Sequence, residues 1–194
     1  MSAAVYARGA SVVLCLAAAV FLILVTISAP TWEKIGFLKA GPLPIRFGVL
    51  GHTGTRVGIG YRFNSSALAF DDHNLNTPVV LNLTKTLILH PVAAGLAGLA
   101  SFFGLCGLTY YHGGTVVMVL LAALATVVCL LAFVLDLVLF GIARNSFRSQ
   151  GISAQYDNAC WLTLAALVAL LLGFSTASYG VFARYKKNRQ GRVS

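Results

Sequence analysis

Charge is what this chain has least of. Asp and Glu together number 5 in 194 residues, and all charged residues amount to 10%, where an ordinary soluble domain carries about 25%. So few charges cannot cover a water-facing surface, which excludes a soluble enzyme and a disordered chain. Cysteine is also scarce: Cys15, Cys106, Cys129 and Cys160 all lie in or beside apolar stretches, and none lies in the long polar loop. That excludes a disulfide-rich secreted framework. No pair has zinc spacing, and the thiols read as small, buried, apolar packing residues. Catalytic signatures are missing too. His52, His73 and His112 are isolated, no G-x-S-x-G or H-E-x-x-H run occurs, and Gly58-Ile59-Gly60 lacks the third glycine of a dinucleotide loop. Neither enzymatic activity nor a cofactor or metal is expected.

What the chain has instead is apolar length. Hydrophobic residues make up 58%, and residues 9–32, 86–135 and 158–183 contain no Asp, Glu, Lys or Arg. A bilayer core about 30 Å thick is crossed by roughly 20 apolar residues in a helix. The first and third stretches each fit one crossing, and the second fits two, reversed at Tyr110-Tyr111-His112-Gly113-Gly114. The expected fold is an all-α membrane protein. It is a four-transmembrane-helix bundle forming one domain over 1–194, with spans near 10–29, 87–110, 116–143 and 159–182. The first apolar run is long for a signal peptide and Pro30 is a poor cleavage neighbour, so it reads as a retained span. Pro91 stands where a helix start tolerates it.

Residues 30–85 form a polar loop with two strand-like runs, 45–50 and 56–63, around Gly51-His52-Thr53-Gly54-Thr55. That pattern predicts a small β-hairpin or sheet in the first loop, supported by something larger because an isolated hairpin is marginal. Residues 64–82 read as irregular or loosely helical, and 144–158 as a short loop. The net charge is +9, and Arg184, Lys186, Lys187, Arg189 and Arg192 crowd the tail at 183–194. Basic residues beside a span mark the cytoplasmic side and meet lipid headgroups. Both termini are therefore expected in the cytoplasm and loop 30–85 outside, with the lipid bilayer rather than nucleic acid as partner. The sequons at Asn64 and Asn82 fit that placement as candidate N-glycosylation sites.

Asp136 is the only acid within a span, and a carboxylate in hydrocarbon demands a partner. His90, at the start of span two, matches it in depth, which predicts an intramembrane polar pair. Such a pair reads as a pin between helices, as a proton-sensing or ion-path element, or as two residues solvated separately at helix ends. Small residues recur at four-residue steps: Ala165, Ala169, Gly173 and Ala177 in span four, and Ala94 and Gly98 in span two. Such smooth faces serve packing inside the bundle or docking by another membrane protein.

Three motifs add a resemblance. Phe47-Gly48-Val49-Leu50-Gly51 followed by Ile59-Gly60-Tyr61, together with His90-Pro91-Val92-Ala93-Ala94, resembles the fungal SUR/PalI group of claudin-like tetraspans, PalI-type branch. The loop residues that carry it are Phe47, Gly48, Gly51, Gly60 and Tyr61. The resemblance implies a multi-pass plasma-membrane protein without catalysis, which stabilises or localises a larger polytopic partner in the fungal ambient-pH response. Sister members imply the alternative of a self-associating organiser of membrane domains at the cell cortex and wall. The chain departs from the group in having no cysteine in its first loop and a short tail, so spans and loop are expected to carry any interaction.

Overall fold

The computed structural model describes residues 3–32, 34–40, 45–54, 56, 58, 60, 78–109, 112–149 and 151–190. In chain order these form α1 (Ala3–Thr26), β1 (Leu38–Ala40), β2 (Ile45–Phe47), α2 (Pro78–Thr86), α3 (Leu89–Thr109), α4 (His112–Ser149), β3 (Ala154–Tyr156) and α5 (Asn158–Gln190). Among the described residues, four stretches are long and apolar enough to cross a membrane: Gly9–Thr26, Pro78–Gly107, Gly114–Ser149 and Asn158–Val181. Helices suit such stretches because hydrocarbon offers no partner for a free backbone N–H or C=O. The hydroxyls within them are satisfied the same way. Ser101, Thr126 and Thr163 donate to the carbonyls of Ala97, Ala122 and Ala159, each one turn back, at 2.9, 2.7 and 3.0 Å. The chain is a multi-pass membrane protein with four apolar helices and a small three-stranded sheet.

The element bounds differ from the sequence expectation in instructive ways. The second crossing stretch begins at Pro78, inside the segment that composition marks as irregular, and breaks at Leu87–Ile88 between α2 and α3. The third runs to Ser149, past its first basic residue at Arg144. Arginine is a good helix former and carries its head to water on a long stem, so it does not end a helix. The remainder of the expected short loop contains β3.

The small sheet expected in the first loop is present, and a strand from beyond α4 joins it. Its order is β2-β1-β3, antiparallel throughout. The chain does turn back after β2, with Thr53 N–H donating to Arg46 O at 3.0 Å and a single bridge between Phe47 and His52. The ladder partner of β2 is nevertheless Leu38–Ala40. Of the run 56–63 only Arg56, Gly58 and Gly60 are described, and none is in a strand. In register, Leu38 stands between Phe47 and Tyr156, and Ala40 between Ile45 and Ala154. Leu38, Ala40, Phe47 and Ala154 are buried. Lys39, Arg46 and Gln155 form the alternate row, as the period-two pleat requires.

The chain divides into two compact units. One comprises Met1–Phe21, Val92–Val128 and Ala165–Ser194; the other comprises Leu22–Pro91 and Cys129–Leu164. The first is helix against helix through small residues. A Cβ on Gly107 would lie 2.9 Å from Thr115 N, and one on Gly114 3.0 Å from Gly107 N, so only glycine lets α3 and α4 meet there. Val12, Cys15, Ala100, Met118, Ala122 and Ala177 fill its interior. The second unit holds the sheet and a core containing Phe37, Leu38, Phe47, Leu87, Leu139, Phe140 and Phe147.

Candidate functional site

Within the second unit the structure brings His90 and Asp136 together, with Nε2 3.0 Å from Oδ2 and the side chains 0% and 4% exposed. Pro91 explains part of the arrangement. A helix would direct the residue-91 N–H to Leu87 O, but proline has none. The carbonyl is instead approached by His90 N–H and by His90 Nδ1, both at 3.1 Å. The His-Pro pair thus places an imidazole on a carbonyl that its own proline leaves open.

The bonding partners then fix the proton count. Leu87 O can only accept, so Nδ1 carries a hydrogen. The short contact from Nε2 to Oδ2 needs one further proton, on the imidazole or on the carboxyl. Either way the pair is neutral as a whole, an ion pair or a neutral acid on a neutral ring. A group neutral in sum is far less costly in low dielectric than a lone carboxylate.

Aromatic rings close the site. Phe37, just before β1, meets the His90 ring edge-on at 5.4 Å between centroids and stacks on Phe140 at 4.9 Å. Its backbone is held at both ends: Phe37 N–H donates to Phe47 O at 2.7 Å, and Asp157 N–H donates to Phe37 O at 2.9 Å. Asp157 in turn pairs with Arg46 at 3.2 Å and accepts from Asn158 N–H through Oδ1 at 2.9 Å, so it caps α5. The loop before β1, the loop before α5 and the polar pair are thereby one connected structure.

The loop motif has a steric meaning. Phe47 is buried and stacks near Phe147 at 5.9 Å. At Gly48 a Cβ would come within 2.7 Å of both Ala29 N and Ser28 Oγ. The buried Ser28 hydroxyl accepts from Val49 N–H at 3.0 Å, so the strand exit lies against the residues that follow α1. Gly51 has φ 149° and accepts from Gly48 N–H at 2.8 Å. Gly60 lies against the Lys85 side chain. Tyr61 and Asn64 lie outside the described residues. Asn82 is exposed, but on α2, and the Thr84 hydroxyl of its sequon is buried and donates to Leu81 O at 2.8 Å. That is not the open surface loop a glycan acceptor suits.

The small-residue faces divide. Ala169, Gly173 and Ala177 are buried, and a Cβ on Gly173 would sit 3.1 Å from Cys15 Sγ. These three pack inside the protein, and Ala165 alone of that stripe is exposed. Ala94 is also buried, whereas Gly98 has nothing within 4 Å of a built Cβ. The cysteines are free and mostly interior, but Cys106 is exposed, against the expectation of burial.

Phe37, Arg46, Asp157 and β3 carry no signal that the sequence alone betrays, apart from Asp157 as a helix cap before Asn158. Among the described residues no three His, Cys, Asp or Glu side chains converge in a way that could hold a metal ion. The arrangement can pin helices and hold a proton; it presents no nucleophile beside a base. No curated protein matches the chain. A model of the SUR7/PalI family matches residues 7–173, nearly the whole described length including His90, Asp136 and the loop motif. The chain belongs to the SUR7/PalI family.

Proposed function

We propose that the protein is a non-catalytic accessory membrane subunit that binds and stabilises or localises a larger polytopic plasma-membrane protein. Its termini are read as cytoplasmic and its sheet-bearing loop as extracellular, from the basic tail. The observation that carries this reading is a face of α3. Val92, Leu99 and Phe102 are 49%, 50% and 60% exposed, and Gly95 between them has open space at its Cβ position, as does neighbouring Gly98. The spacing of 92, 95, 99 and 102 is that of a helix–helix seam, and glycine within it admits a close backbone. The sealed His90–Asp136 pair favours a structural pin over an ion path. A place in fungal ambient-pH signalling rests on the PalI-type motifs.

The test is recovery of complexes in mild detergent from the native membrane, comparing the wild type with Gly98→Leu. A Cβ added at Gly98 has nothing within 4 Å, so the variant's fold is expected to survive. One polytopic protein should co-purify with the wild type and be lost from the variant. Equal recovery from both would sink the reading, and recovery of only a second copy of this chain would favour the self-associating organiser.

A further inference from the structure

One charged cluster of the second unit is left unused by the polar pair and the α3 face. Arg144 and Arg148 stand one turn apart on α4, so their side chains share a face. Both reach back to β3. The Arg144 guanidinium carbon lies 5.4 Å from the centre of the Tyr156 ring, and Arg148 Nε donates to Ala154 O at 3.2 Å. Strand β3 therefore orders two long side chains that would otherwise be free, which removes much of the entropy lost on binding a ligand.

The cluster is incomplete as it stands. Arg144 Nε is buried and has no acceptor among the described residues. The acidic side chains among the described residues are Asp136, paired with His90, and Asp157, paired with Arg46. Among the described residues, neither arginine has a carboxylate to neutralise it. An anion with several acceptor oxygens suits such a pair, because two guanidinium forks match phosphate geometry.

Position selects the source of that phosphate. Gly114 to Arg144 covers about 45 Å at 1.5 Å per residue, comparable to a bilayer with its headgroup layers. Trp161, 67% exposed in the first turns of α5, offers the ring typical of that interface. We infer that Arg144 and Arg148, ordered by β3, form a binding site for the phosphate of a membrane-lipid headgroup.

The test is native mass spectrometry of the intact protein in neutral detergent, titrated with phosphatidylserine, with diacylglycerol, or with phosphatidylserine plus inorganic phosphate. The wild type should retain one phosphatidylserine and no diacylglycerol, and equimolar inorganic phosphate should not displace the lipid. Arg144→Gln should weaken retention by about tenfold or more, the size of one lost charge-assisted hydrogen bond. Arg148→Gln carries the same expectation should the first variant not give monodisperse protein. Lys39→Gln, an exposed cation elsewhere on the sheet, should change retention by less than about twofold. Wild-type retention by both arginine variants overturns the site. Equal loss in Lys39→Gln overturns it in favour of diffuse charge, and displacement by inorganic phosphate overturns the lipid as its ligand.

Discussion

The two units of this protein are held by different means. In the first, helices approach through missing side chains: Gly107 against Thr115, Gly173 against Cys15, Gly104 against Met118. A Ser11 hydroxyl also lies 3.9 Å from Met118 Sδ. In the second, rings and polar groups do the joining: Phe37 on His90 and Phe140, His90 on Asp136, Arg46 on Asp157. Lipid gives helices no hydrophobic reason to associate, so close dispersion contact has to serve where no polar group is available. Where the chain also carries a sheet and loops, directional bonds become available and fix register. The contrast predicts opposite mutational sensitivities.

Phe37→Ala should have the largest effect. It removes a fully buried ring that also covers the polar pair, for a loss of about 3–5 kcal/mol, read as thermal unfolding in lipid nanodiscs. Gly173→Leu sharpens the comparison from the other side. With Cys15 Sγ and Leu14 Cβ already at 3.1 and 3.4 Å, added bulk should destabilise by about 1–3 kcal/mol. Gly98→Leu, on the open face of α3, should stay within about 0.5 kcal/mol. Equal effects at the two glycines would erase the distinction between inward and outward faces.

Much of this was legible beforehand. Four crossings follow from charge-free runs, because hydrocarbon imposes one solution on a long apolar stretch. Depth alone placed His90 opposite Asp136, since one acid and one histidine leave few alternatives. The sheet was legible only as a tendency. Residues 45–50 announce a strand, but its partner Leu38–Ala40 and the third strand Ala154–Tyr156 are three residues each, too short for periodicity to show. Their pairing joins segments more than a hundred residues apart in sequence, information that no local pattern holds. The same distance hid Phe37 and the link from Arg46 to Asp157. The inward turn of Gly173 was hidden because small residues look alike whether they face a neighbour or lipid.

Two smaller effects separate roles within the second unit. Asp157→Ala should cost more than Arg46→Ala by about 1 kcal/mol, because Asp157 also caps α5, whereas the partly exposed ion pair itself contributes little. Equal losses would assign the whole effect to the ion pair. His52 offers a pH effect outside the spans: burial lowers its pKa below the usual 6.5. The unfolded chain then binds the proton more readily, so this contribution is full above about pH 6.5 and declines as pH falls from there through the lower folded value. His52→Gln should flatten that part of the stability profile; an unchanged profile would assign the acid sensitivity elsewhere.

The central claim is that His90 and Asp136 are a closed, mutually neutralising pin. Unfolding free energies of His90→Phe, Asp136→Leu and the double variant, in one nanodisc composition, test it most directly. Each single change strands one buried polar partner and should lose about 3–5 kcal/mol, while the double change leaves nothing stranded and should return to within about 1–2 kcal/mol of the wild type. Losses that simply add in the double variant would contradict the account, because the two side chains would then be acting separately.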